Sequence, residues 1–297
     1  VARAVTLTGV GLFSSLPSRV TIHPCGEHPR GLVLRRTDLA ELPAVPARVG
    51  HVITRPRQTV LCADPTCPGA TGAISTVEHL LSALTAAGIT DAFVEVGGAE
   101  VPLMDGSSLP FLEAIEQAGR AAVPMRGGEA GPLVVRERIE LRDASGQMWI
   151  RAEPLTEGDP ADALVCEYWL DYGAGSPIAP HRASFALLPG GASAEAYRSQ
   201  IAPCRTFCTD AEARAMRAAG MFSHLEPKDV LVIGPDGPVD TAERLPGEPA
   251  RHKVLDMIGD LTLAGGGMRW IVGRVTACRT GHAQNHAMAT AIVQRFS

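Results

Sequence analysis

The sequence predicts an α+β fold made of two similar halves, each a β-sheet layered with helices. Three observations carry this. The chain has 297 residues, enough for one large domain or two of ordinary size. Each half runs through the same order: strands, a helix carrying one histidine (His79 or His252), a glycine stop, a strand and a closing helix. Between them, residues 124–132 (PMRGGEAGP) form the most Gly/Pro-rich stretch. The halves share almost no identity, so the repeat is one of structural order. The expected boundaries are a first domain at 1–124, a linker at 125–132 and a second domain at 133–297. A site between such halves would take ligands from both.

In chain order, residues 2–12 and 18–23 alternate as two strands, and 31–36 read as a third. Residues 38–56 are Pro-rich and read as an irregular insert, followed by a strand at 58–62. In 74–87, Val77, Leu80, Leu81 and Leu84 follow the helical period. Ser75 or Thr76 is placed to cap that helix and Gly88 to stop it. A buried strand at 89–96 and a helix at 109–119 complete the half. Past the linker, 133–141 and 147–153 resemble a hairpin around 143–146. Strands are expected at 164–170 and 184–187, and helices at 192–200 and 210–219. A strand at 230–233 precedes a turn at Pro235-Asp236-Gly237. Residues 249–263 (PARHKVLDMIGDLTL) carry Val254, Leu255, Ile258 and Leu261 at helical spacing. Gly265 to Gly267 break that helix, a strand follows at 269–277, and 281–296 form the last helix.

Composition narrows the function. Hydrophobic residues make up 45% and charged residues 20%, as in a packed globular protein. The formal net charge is −5 with no basic block, which argues against nucleic acid as a main partner. No apolar run approaches the ~18 residues of a membrane helix. The N-terminus lacks the charged and apolar regions of a signal peptide, and a start at Val1 suggests processing or trimming. The seven cysteines are odd in number and irregular in spacing. They fit reduced thiols in the cytoplasm better than a disulfide framework, and no two pairs have zinc-ribbon spacing.

His252 and Asp256 are four residues apart, so on a helix they share a face. That is how two ligands are presented to one zinc ion. The same spacing also fits a surface helix whose His and Asp simply pair. His79 is the natural third ligand, and two His with one carboxylate leave a fourth position open, as in catalytic zinc sites. Glu78, splayed by about 100° from His79, would flank the metal and could accept a proton from water; an exposed helix edge is the bland alternative. His282, at the start of the last helix, could stabilise an oxyanion and protonate a leaving amine, or be an ordinary helix-end residue. Lys253 could donate to a developing oxyanion. His286 lies one turn past His282 without visible carboxylate support and is read with the surface or loop histidines.

These residues sit in stretches that resemble the LpxC family of zinc-dependent UDP-3-O-acyl-N-acetylglucosamine deacetylases of lipid A biosynthesis. The stretches are GVGL (9–12), RRTDL (35–39), ISTVEHLLSAL (74–84), the strand at 88–96, VPLMDGSS with its following Pro-Phe (101–111), RTF (205–207), RHKVLDMIGDL (251–261) and GHAQNH (281–286). They span nearly the whole chain, and their order makes chance agreement untenable. The resemblance implies helices sandwiched between two sheets, with the active site at the domain junction. It implies zinc, or alternatively iron(II), on His79, His252 and Asp256, with Glu78 as general base and His282 as general acid or electrostatic stabiliser. Thr206 would hydrogen-bond the tetrahedral intermediate, and Lys253, Phe207 and Asp260 would surround the substrate. The implied reaction releases acetate from the 2-acetamido group of an acylated UDP-glucosamine. The expected enzyme is cytoplasmic and monomeric, with no integral membrane segment.

The chain also departs from the family pattern. Phe13 stands where the family usually has a histidine after GVGL. The segment after Phe207, CTDAEARAMRAAGM (208–221), places Thr209, Asp210 and Ala213 where bulkier or more apolar residues line a passage for the acyl chain. An Asp against a buried acyl chain is costly unless paired. The family's Gly-Gly-Ser stretch is replaced near Ser223-His224-Leu225-Glu226. These departures raise the alternatives of a different or unacylated N-acetyl sugar, or of a non-catalytic paralogue. The intact Glu78, His79, His252, Asp256 and His282 favour an enzyme.

Overall fold

The structure is a computed structural model that describes residues 1–26, 31–39, 41–66, 70–122 and 131–297. Most of the expected linker, 125–132, lies outside the described residues.

The first half contains β1 (Val5–Val10), β2 (Pro17–His23), β3 (Leu32–Arg36), β4 (Val45–Pro46), β5 (Val52–Arg55), β6 (Gln58–Leu61), β7 (Ile74–Ser75), α1 (Glu78–Ala86), β8 (Ala92–Val96) and α2 (Leu109–Ala118). The second contains β9 (Leu133–Val134), β10 (Ile139–Arg142), β11 (Trp149–Glu153), β12 (Leu164–Leu170), β13 (His181–Leu187), α3 (Ala194–Gln200), β14 (Phe207–Thr209), α4 (Asp210–Ala218), β15 (Leu231–Gly234), β16 (Gly237–Val239), α5 (Glu248–Thr262), β17 (Ile271–Cys278) and α6 (His282–Phe296).

The main sheets have the same topology. The first runs β1-β2-β8-β3-β4, and the second runs β10-β11-β17-β12-β13, with β9 added beside β17. In each, the last strand of the half inserts antiparallel to the second strand and parallel to the third. The parallel pairs, such as Leu34 with Val94 and Cys166 with Val275, require crossover connections, and these carry α1 and α5. One apolar cluster runs from Ile22 and Val94 through Leu80, Leu84, Leu255 and Ile258 to Ile150 and Val275. The helices are thus sandwiched between the inner faces of the two sheets.

Two small sheets stand outside this frame, β5-β6-β7 and β14-β15-β16. The first corrects the reading of 38–56 as irregular. Val52, Ile53 and Thr54 are β-branched and pair antiparallel with β6. Pro56 and Arg57 make the two-residue turn, Arg57 with φ of 63°.

The N-terminus of α1 is also corrected. Ser75 belongs to β7, and Thr76 has φ of 58° and donates its hydroxyl to Glu100 (2.8 Å). Neither caps the helix, whose N-cap is Val77 without a side-chain bond. Glu100 explains this. It is buried and accepts from the backbone N–H groups of Phe13 and Ser14 as well as from Thr76. Thr76 serves that carboxylate instead of the helix. The expected strand 133–141 is divided, because β9 pairs with β17 while β10 pairs with β11.

Candidate metal centre

The contact of α1 with α5 brings the predicted ligands together. Gly259 makes the approach possible, since a Cβ there would lie 2.1 Å from the backbone oxygen of Glu78. Glu78 and His79 open α1, and His252, Asp256 and Asp260 recur every four residues along α5, with Lys253 three residues before Asp256. Among the described residues, the ligand atoms of His79, His252 and Asp256 lie within 4.8 Å of one another. All three side chains are buried.

The arrangement fits a divalent cation. Asp256 Oδ1 is buried without a hydrogen-bond partner, yet lies 3.4 Å from His252 Nε2 and 3.7 Å from His79 Nε2. His252 Nδ1 is 3.0 Å from the carbonyl oxygen of Cys204. A carbonyl only accepts, so Nδ1 carries the proton and Nε2 presents a lone pair to the site. Burial pushes His252 down to about 4, and the neighbouring His79 adds to this, so the ring is neutral as a ligand must be. Burial opposes charge on Asp256, but the cationic Lys253 and His282 outweigh it and hold the carboxyl well below its usual range. Two imidazoles and a carboxylate are a zinc donor set, and one that iron(II) also accepts.

A cavity of about 710 Å³ opens onto the triad. Glu78, Thr206, Phe207, Lys253 and His282 line it with His79, His252 and Asp256. Lys253 Nζ lies 2.8 Å from Asp256 Oδ2, and Asp256 raises its pKa against the opposing effect of burial. Glu78 is pushed upward by burial, which outweighs the attraction of His282 and His79. Its Oε1 is 3.7 Å from His282 Nε2. Burial disfavours charge on His282, but Asp260, Glu78 and Asp256 prevail and raise it to about 9.

Asp260 is not where the sequence reading placed it. It is fully buried, lies behind His282 and does not line the cavity. Its Oδ2 accepts from His282 Nδ1 (2.8 Å) and Asn285 Nδ2 (2.9 Å). The buried His286 stands 3.3 Å from Oδ1, so it has the carboxylate support the sequence reading denied it and is not a surface residue. His282, Asn285 and His286 fall at i, i+3 and i+4 of α6, a spacing that could have signalled this. Thr59, whose hydroxyl lies 2.5 Å from Asp260 Oδ1, carries no such signal.

Thr206 and Phe207 are positioned by Arg205, which is buried against the fully buried Glu248. Glu248 accepts from Arg205 Nε (2.9 Å), Arg205 Nη2 (3.1 Å) and the Arg205 backbone (2.8 Å). Gly106 completes the seating. Its φ is 78°, a Cβ there would lie 1.9 Å from the backbone oxygen of Asp229, and its carbonyl accepts from Thr206 N–H (2.7 Å). On the far side, Leu12, Phe13, Cys208, Phe222 and Val230 give the cavity an apolar wall. Phe13 and Phe222 are in ring contact at 5.9 Å. The expectation that Asp210 borders an acyl passage is corrected, because it lies off the lining and pairs with Arg214 one turn away. Glu212 is the acidic residue of α4 that reaches the cavity, where it pairs with Arg57.

The chain is similar to known proteins over nearly its whole length. Residues 1–294 match the family described as LpxC, UDP-3-O-acyl N-acetylglycosamine deacetylase. The chain belongs to the LpxC family. A UDP-3-O-acyl-N-acetylglucosamine deacetylase of Anaeromyxobacter sp. (strain Fw109-5) is 35% identical over 299 residues, covering 99% of this chain and 87% of that protein. The deacetylase of the same name from Geobacter sp. (strain M21) is 31% identical, covering 98% and 87%. That of Chlamydia abortus (strain DSM 27085 / S26/3) is 30% identical, covering 98% and 95%. The LpxC match therefore includes both halves, the triad and the cavity wall. Among the described residues, no helix is long and apolar enough to cross a membrane.

Proposed function

We propose that this chain is a metal-dependent deacetylase that hydrolyses the 2-acetamido group of UDP-3-O-acyl-N-acetylglucosamine in lipid A biosynthesis. The observation that carries the reading is the His79–His252–Asp256 triad with Glu78 and His282 on its cavity side. The relatives' names supply the substrate. The apolar wall of Leu12, Phe13, Phe222 and Val230 supports an acylated sugar, and Arg279 in the same lining offers a cation to the diphosphate.

His79, His252 and Asp256 would hold zinc, with iron(II) as the alternative. When bound, the ion supplies Lewis-acid polarisation of the amide carbonyl and a more acidic water. Glu78, made more basic by burial, takes a proton from the attacking water. Lys253 and Thr206, both in the cavity lining, would donate hydrogen bonds to the oxygen on which negative charge develops. His282 keeps its Nδ1 proton on Asp260 and delivers the Nε2 proton to the departing nitrogen. Water and amide become acetate and a free amine, and the proton on Glu78 returns the site to its starting state through solvent or His282. The odd, irregularly spaced cysteines support a cytoplasmic setting.

The test is acetate release from the acylated UDP-sugar, measured with metal content on the same preparation. Release that requires about one bound ion per chain supports the reading. A fully metal-loaded protein that leaves the acetamide intact contradicts it.

A further inference from the structure

We propose that Thr59 is a positioning residue that holds both proton-transfer groups of the site at once; this rests on the reading of Glu78 as base and His282 as acid. Thr59 is fully buried on β6, in the small sheet outside the main frame. Its backbone grips the start of α1. Its N–H donates to Glu78 Oε2 (3.1 Å), and its carbonyl oxygen faces the N–H of Val77 at 3.4 Å. Its side chain points the other way, into the α5–α6 contact, with Oγ1 at 2.5 Å from Asp260 Oδ1 and 2.9 Å from His286 Nε2.

Hydrogen-bond stoichiometry fixes the direction of these contacts. A hydroxyl has one proton, and an ionised carboxylate only accepts. Thr59 therefore donates to Asp260 Oδ1 and accepts from His286 Nε2–H. His282 Nδ1–H and Asn285 fill Oδ2. Asp260 is thereby held on both oxygens and orients the His282 ring so that Nε2 faces Glu78. One residue ties the base, through its backbone, to the carboxylate that orients the acid, through its hydroxyl. The β-branched side chain also suits a strand, and its methyl fills the buried space that a serine would leave.

Because the backbone contact survives most substitutions, the side-chain arm can be tested alone. Thr59→Val keeps the shape and removes the hydroxyl, Thr59→Ser keeps the hydroxyl, and Thr59→Ala stands in should the valine variant fail to fold. On the acylated UDP-sugar, the hydroxyl-free variant should lose about 10–100-fold in kcat with KM little changed and bound metal retained. Thr59→Ser should recover most of that loss. In the Asp260→Asn background the same substitution should cost little more, because Thr59 acts through Asp260. Independently of turnover, the Nδ1–H resonance of His282 in histidine-labelled protein should be present in wild type and Thr59→Ser. It should shift or broaden in the hydroxyl-free variant, with or without metal. An unchanged resonance, a serine variant as impaired as the hydroxyl-free one, or full additivity with Asp260→Asn would overturn the proposal. A wild-type protein inactive on the sugar would contradict the deacetylase reading instead, and the resonance would still decide the role of Thr59.

Discussion

The α1–α5 contact and the β14–α4 wall border the same cavity but are held in opposite ways. At the helix contact, Glu78, His79, His252 and Asp256 are each 5% exposed or less. Glu78 and His252 take partners from distant elements, Thr59 and the Cys204 carbonyl, while Asp256 takes Lys253 from its own helix. Gly259 allows nothing larger between the helices. In the wall, α4 buries only Ala213, which joins a small cluster with Leu12, Leu103, Cys208 and Val230. The helix is otherwise secured by the Thr209–Glu212 capping box and by the exposed Arg57–Glu212 pair, and exposed pairs contribute about 0–1 kcal/mol. The chemical side of the cavity is constrained from every direction, while the recognition side can change without unfolding the core. The departures from the family pattern, Phe13, Thr209, Asp210 and Ala213, all fall on the second side.

Substitutions at the helix contact should therefore be felt most. Glu78→Gln should lower kcat by about 10²–10⁴-fold while the purified protein keeps its metal; unchanged turnover would remove Glu78 as the base. His252→Ala should release the metal and activity together, read by elemental analysis. Glu248→Ala leaves Arg205 as an unpaired buried charge, and chemical denaturation should show a loss of about 3–5 kcal/mol. Gly259→Ala puts a methyl group against the Glu78 carbonyl and should cost about 1–3 kcal/mol, with activity falling as the triad is displaced.

The wall should respond weakly. Thr209→Ala removes a cap and should cost about 1 kcal/mol, detectable as faster amide exchange in α4. Asp210→Leu should leave activity on acylated substrate unchanged, with a stability loss of about 0.5 kcal/mol from its pair with Arg214. A marked gain on long acyl chains would show that Asp210 borders the passage after all.

The same contrast explains what is legible in the sequence. The helix at 249–263 is visible because Val254, Leu255, Ile258 and Leu261 repeat at its period, and His252 with Asp256 falls on that pattern. Strand 164–170 is legible to the residue, being an apolar run bounded by loops. The strand β5 is hidden because prolines surround it and its pairing partner supplies the order. The displaced start of α1 is hidden because a Ser-Thr pair before a helix reads as a cap, while the carboxylate that claims Thr76, Glu100, is 24 residues away. Asp260 and His286 were visible as residues but not as partners, since α5 and α6 meet only in the folded chain. Thr59 offers no local pattern, and only its position between Glu78 and Asp260 gives it meaning.

If His79, His252 and Asp256 bind the ion on which deacetylation depends, metal and activity must be lost together, which is measured as bound metal and acetate release from UDP-3-O-acyl-N-acetylglucosamine on wild type and His252→Ala in parallel. The expected result is about one divalent ion per chain with acetate release in wild type, both lost in the variant. Acetate release by metal-stripped protein, or full metal retention by His252→Ala, would contradict it.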